Sequence, residues 1–125
     1  MIHLDTHVVV WLYEKKRERF SDRALELIES EDLAISPMVL LELQYLFEID
    51  RILAGPGVVS SYLRERLGLE LDSTPFAKVA GKAVEMTWTR DPFDRLIAAQ
   101  AACAGTTLVT KDSQILKNYP GARWE

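Results

Sequence analysis

The sequence predicts a three-layer α/β/α fold around a central, mostly parallel sheet. Short apolar runs alternate along the chain with longer amphipathic segments, the pattern of strands joined by crossover helices. Three cap-then-proline pairs, Ser36-Pro37, Thr74-Pro75 and Asp91-Pro92, mark helix starts between those runs. At 125 residues the chain suits one domain over 1–125, long enough to bury a real core.

The elements follow in order. Ile2–Asp5 reads as the first strand, followed by a helical stretch through Trp11. Ser21 caps a helix to about Glu29, and Leu33–Ile35 is the second strand. The helix opened by Ser36-Pro37 runs to about Leu53, where Gly55-Pro56-Gly57 stops it. Val58–Leu67 forms another helix ending at Gly68, and Leu69–Leu71 a short strand. Helices over Pro75–Glu85 and Pro92–Ala104 come next, the second closed by Gly105. Thr107–Thr110 is a strand, Ser113–Tyr119 a short helix, and a last strand lies near Arg123-Trp124.

Composition excludes several classes. Apolar residues make up 48% and charged residues 27%, ordinary for a globular protein, with no repeat or low-complexity tract. The apolar N-terminal stretch is interrupted by Asp5 and His7 and is too short to span a bilayer. It also lacks the charge pattern and cleavage site of a signal peptide. Cys103 is alone, which excludes an internal disulfide or a cysteine-built metal cage. A cytoplasmic protein without membrane association is expected. The net charge of −4 runs against nucleic-acid binding at first sight. Setting aside four acids as metal ligands leaves the remainder neutral, so bulk charge decides nothing.

Those four acids are Asp5, Glu42, Asp94 and Asp112. In an open α/β sheet, ligands gather beyond the carboxyl ends of the strands. Asp5 closes the first strand, and Asp112 lies just beyond Thr107–Thr110. Asp94 stands in the first turn of its helix, where the helix N-terminus favours ionisation. Glu42 lies roughly 9 Å along its helix from Ser36, at 1.5 Å per residue. Its helical neighbours Met38, Val39, Tyr45 and Leu46 make a mostly apolar face, where a carboxylate needs compensation. Asp94 likewise faces Ile97, Ala98 and Ala101. Separate readings exist: Asp5 as a helix cap, Glu42 paired with a buried arginine such as Arg95, Asp94 complementing the helix dipole, Asp112 in a turn. Four acids meeting at one edge would then be coincidence. Clustered carboxylates without histidine or cysteine suit hard cations, Mg2+ or Mn2+, and the chemistry of such sites is phosphoryl transfer.

The runs HLDTHVVVWL, ISPMVLLEL, WTRDPFDRLIAAQA and TLVTKD occur in this order across nearly the whole chain. Together they resemble the PIN-domain nucleases, particularly the VapC-type toxins of VapBC toxin–antitoxin pairs. The resemblance implies metal-dependent endoribonuclease activity, with water activated at the metal cutting RNA to a 5′-phosphate and a 3′-hydroxyl. It also implies a homodimer and inhibition by a cognate antitoxin, through which any DNA contact would pass. By position, the family's four acids fall on Asp5, Glu42, Asp94 and Asp112. Asp91 belongs to the third motif but reads as a helix cap, at most an outer participant, and Thr110 is a candidate hydrogen-bond partner of a ligand carboxylate. Asp50–Gly81 is less characteristic of the family.

The remaining chemistry-bearing residues have plainer readings. His3 and His7 follow strand spacing, and local hydrogen bonding is the expected role of His7, ahead of substrate contact. Cys103 and the tryptophans Trp11, Trp88 and Trp124 read as packing residues rather than base-stacking platforms. Lys15, Lys16, Arg17 and Arg19 read as a solvated basic cluster, with RNA-backbone contact the alternative. The nearest rival enzyme is a haloacid-dehalogenase-like phosphatase, which also begins with an aspartate at a strand end. That family wants a second aspartate where this chain has His7. A rival of another kind is a catalytically inactive regulatory partner on the PIN fold.

Overall fold

The computed structural model describes Met1–Glu125 in full. Strands β1 (Ile2–Leu4), β2 (Leu33–Ile35), β3 (Glu70–Leu71), β4 (Thr107–Val109) and β5 (Ala122–Arg123) form one sheet, ordered β3-β2-β1-β4-β5. Every neighbouring pair is parallel. β1 and β2 are buried along their whole length, so both faces are covered and the strands read as unbroken apolar runs rather than alternating ones. The edge strand β3 is exposed.

The helices are α1 (Thr6–Tyr13), α2 (Asp22–Ser30), α3 (Pro37–Glu48), α4 (Pro56–Leu67), α5 (Phe76–Val84), α6 (Pro92–Ala104) and α7 (Ser113–Asn118), with a 3-10 turn at Arg17–Arg19. α5 packs along α6, while α3 contacts both α4 and α6. Their apolar faces meet the sheet in one continuous core that includes Leu4, Val9, Ile35, Val39, Leu43, Ile97 and Leu108. No helix is long and apolar enough to cross a membrane.

Three of the expected caps are present. The side chains of Ser21, Ser36 and Asp91 accept from the backbone N–H groups of Ala24, Met38 and Phe93 at 3.0, 3.1 and 2.8 Å. Thr74 does not cap. Asp72 takes up that turn, its Oδ1 accepting from the Thr74 N–H at 2.7 Å, and Pro75 itself flanks the first helical residue.

Helix ends account for most other differences. α3 stops at Glu48, several residues before Leu53, because Asp50 turns into the left-handed region at φ 60°. The Arg51 N–H then bonds the Leu46 carbonyl at 2.9 Å and satisfies the last turn. α1 runs past Trp11 to Tyr13 and closes in the same way on Lys15 at φ 58°. α4 starts at Pro56, so the Gly-Pro-Gly segment is the start of the next helix as well as a break.

A buried polar chain crosses the sheet beneath these helices. His3 Nδ1 lies 2.6 Å from the Thr106 hydroxyl, and its Nε2 lies 2.7 Å from Asp72 Oδ2. Asp72 Oδ1 accepts from Gln100 Nε2 at 3.0 Å, and Gln100 Oε1 accepts from the Ser36 hydroxyl at 3.1 Å. His3 pairs in register with Ala34 on β2, and its imidazole reaches Asp72 just beyond β3. Burial lowers the His3 pKa, which assigns a neutral ring donating from Nε2 to Asp72 and accepting at Nδ1. Burial works against Asp72 ionising, but bonds from Thr74, Gln100 and His3 outweigh it and hold the carboxyl at about 2. Its folded pKa is therefore depressed, and the stability it contributes is present above about pH 4 and lost as pH falls toward about 2. The Asp72→Asn protein is expected to lose less of its urea midpoint than the parent between pH 5 and 3. Equal losses would show that Asp72 does not carry the network.

Candidate active site at the carboxyl edge of the sheet

The chain leaves β1 toward β2 and β3 on one side, whereas β4 and β5 lie on the other. Loops that diverge at such a switch point leave a crevice beyond the strand carboxyl ends. Here that crevice is a cleft of about 400 Å³ lined by Asp5, His7, Trp11, Glu42, Asp91, Asp94, Lys111 and Asp112. All four acids singled out from the sequence stand in it, joined by Asp91.

Each acid is placed by its element. Asp5 follows β1 and caps α1, so its carboxylate is fixed at both oxygens. Oδ1 accepts from the Thr6 N–H at 2.8 Å and Oδ2 from the Thr110 hydroxyl at 2.6 Å. Glu42 projects from α3, and its Oε1 accepts from the Thr6 hydroxyl at 2.5 Å. It has no arginine partner, because Arg95 Nε donates instead to the Met86 and Thr89 carbonyls. Asp112 caps α7, with Oδ1 accepting from the Gln114 and Ile115 N–H groups at 2.9 Å each. Asp91 caps α6 as expected and also faces the cleft. Asp94 sits one turn further on and has no donor of its own.

This arrangement is electrostatically costly. Burial pushes the Asp5 and Glu42 carboxyls above their usual range despite their hydrogen bonds to threonine. Asp94 is pushed up to about 7, first by burial and then by the charges of Asp91, Asp5, Asp112 and Glu42. Four acidic neighbours acting on one carboxyl mean that the group is electrostatically a single site. The side chains are not closed into a cage: no three acidic, histidine or cysteine groups are gathered tightly enough to hold an ion as they stand. Mutual repulsion keeps such carboxylates apart, and the bound oxygens of Asp5, Glu42 and Asp112 already have protein donors. The acidic donor set is nevertheless all oxygen and anionic, which fits a hard divalent cation.

A family model of the PIN domain matches residues 2–121. The chain belongs to the PIN-domain family. With that membership the haloacid-dehalogenase alternative falls away. The chain is 34% identical over 115 residues to Ribonuclease VapC22 of Mycobacterium tuberculosis, across 90% of this chain and 87% of the relative. It is similar to VapBC2 from Rickettsia felis, a structure bound to a DNA fragment from the promoter, with a TM-score of 0.67, 25% identity, and coverage of 100% and 98% of the two chains. The fold is also that of VapBC-1 from nontypeable Haemophilus influenzae, with a TM-score of 0.65, 17% identity, and coverage of 100% and 97%.

In this PIN domain several functional contacts escaped sequence reasoning. Thr6 bonds two acids at once, through its N–H to Asp5 and its hydroxyl to Glu42. Only its place directly after Asp5 hinted at this. His7 lines the cleft 6.2 Å from the Trp11 ring, rather than in the local hydrogen bond expected of it. Lys111 brings the cleft its one ammonium. Gln100, a lone amide in an alanine-rich helix, was the visible sign of the buried polar chain. Thr110, expected from the sequence to bond an acidic side chain, is fully buried and donates to Asp5; unforeseen is that its hydroxyl also accepts from the Asp112 N–H at 3.0 Å, so one side chain links both strand-end acids. Replacing it with isosteric valine leaves both partners unsatisfied. Thr110→Val is expected to lower unfolding free energy by about 1–3 kcal/mol in urea titrations. A loss below about 0.5 kcal/mol would remove Thr110 from this role.

Proposed function

We propose that this chain is a divalent-metal-dependent endoribonuclease and the toxin of a type II toxin–antitoxin pair. The observation that carries the reading is the convergence of Asp5, Glu42, Asp91, Asp94 and Asp112 on one cleft, with Asp94 raised to about 7 by burial and by its acidic neighbours. Buried anions at such spacing need a cation to remain ionised. Similarity to a named ribonuclease supports RNA as substrate, and similarity to VapBC complexes supports an antitoxin partner. The exposed Leu41, Tyr45 and Phe47 of α3 and Phe76 and Val84 of α5 support a homodimer.

Asp5 and Asp94 would hold the principal ion, with Glu42 and Asp112 completing the site directly or through water. Bound there, Mg2+ or Mn2+ supplies charge that polarises the phosphodiester and acidifies water. Thr6 and Thr110 fix the Asp5 carboxylate, so its direction is set before substrate arrives. Thr6 holds Glu42 by Oε1 and leaves Oε2 to orient the attacking water and take its proton. Asp112, its Oδ1 committed to the α7 cap, keeps Oδ2 for the same region.

The test is cleavage of single-stranded RNA with and without Mg2+. The parent is expected to cut and to stop when the ion is chelated, and Asp5→Asn and Asp94→Asn to fall on the order of a hundredfold or more. Variants that cut as fast as the parent would refute the assignment. A folded parent that never cuts would favour an inactive regulatory protein.

A further inference from the structure

The cleft is not lined by acids alone. His7, Trp11 and Lys111 form the part of its lining that carries no carboxylate. Lys111 stands between Thr110 and Asp112 in a cleft lined by five acids, yet its ammonium takes part in none of the protein's ion pairs. It rests instead over two indoles, 6.0 Å from the Trp11 ring centre and 5.9 Å from that of Trp124. Arg19 reaches the same Trp11 from the 3-10 turn, its guanidinium 5.6 Å from the ring, and it too has no acidic partner. Two unpaired cations from separate elements thus converge on one side chain beside an acidic cleft.

The platform beneath them is built, not incidental. Trp11 stands edge-on to Trp124 and to Phe20 at 6.0 and 6.1 Å, and Phe20 stacks on Trp124 at 5.7 Å. Trp124 is 5% exposed, and its carbonyl accepts from the Ser21 hydroxyl, which ties the C-terminal segment to α2. An indole face attracts a cation without neutralising it. A lysine held there keeps its charge available for an incoming anion, which a carboxylate partner would have consumed.

We propose that Lys111 and Arg19, seated on the Trp11 platform, grip the RNA backbone phosphates that flank the scissile one. The inference rests on the nuclease reading above and deepens it. A metal among the acids answers the charge of one phosphate only; the next phosphates along a strand meet more carboxylates unless cations are supplied. Lys111 and Arg19 supply them at the Trp11 platform. His7, beside Trp11, lines the same cleft. Protein cations that neutralise phosphates release counterions, so their contribution is read in the salt dependence of binding.

The experiment compares Lys111→Ala and Arg19→Ala with the parent in steady-state RNA cleavage, with Lys82→Ala as a control for loss of a distant charge. Each test variant is expected to raise KM about tenfold while kcat falls far less, the scale of one charge-assisted contact. Lys111→Arg and Arg19→Lys keep the charge and are expected to recover most of the loss. Binding of a short fluorescein-labelled single-stranded RNA is measured in the Asp94→Asn background across a salt series. There the slope of log affinity against log salt is expected to shrink by about 0.7 for each cation removed. A parent that cleaves RNA while its Lys111 and Arg19 variants match it in KM and salt slope overturns this inference alone. A parent with no RNA cleavage overturns the nuclease reading, and this one with it.

Discussion

Burial of several acidic side chains in one cleft is the constraint on which the rest of this structure turns. Asp5 and Glu42 are raised above their ordinary pKa values and Asp94 reaches about 7, each with burial as the largest cause. A fold does not gather such groups for stability, because each charge would be better solvated apart. Under the function proposed above, a cation and an anionic substrate complete the arrangement. The threonines show how the protein bears the cost meanwhile. Thr6 and Thr110 donate to Asp5, and Thr6 also donates to Glu42, so the deepest charges have partners while Asp94 is left without one.

The parallel sheet makes the gathering possible. Because β1 and β4 run side by side in the same direction, Asp5 and Asp112 leave them at one edge, and α3 and α6 bring Glu42 and Asp94 to it. The polar chain from Thr106 through His3, Asp72 and Gln100 to Ser36 spans both sides of β1. It fastens the residue that caps α3 to the body of α6, the two helices that carry the acids not set by strand ends. Stability and site geometry therefore share components.

The order and type of the elements were legible because periodicity and capping are local. So were the acids, for Glu42 and Asp94 stand out as charges on apolar helical faces. The ends of α1 and α3 were misplaced because Lys15 and Asp50, not glycines, occupy the left-handed positions that close them. Thr74 looked like a cap until Asp72, a residue of the preceding turn, took the bond. Contacts across long sequence separations left almost no local trace. Nothing near His3 announces Asp72, and nothing near Lys111 announces Trp11. The acids' convergence was an expectation from topology, and the structure brings them to one cleft without closing them around a point.

The most direct measurement is titration of Asp94 itself, by carbon-detected NMR of its labelled carboxyl in metal-free protein and again with saturating Mg2+. Burial and the charges of four acidic neighbours are expected to place the midpoint near 7 without the ion, and the proposed cation to displace it far downward when added. An ordinary carboxylate midpoint near 4, unmoved by magnesium, would mean that these charges neither crowd one another nor await a cation.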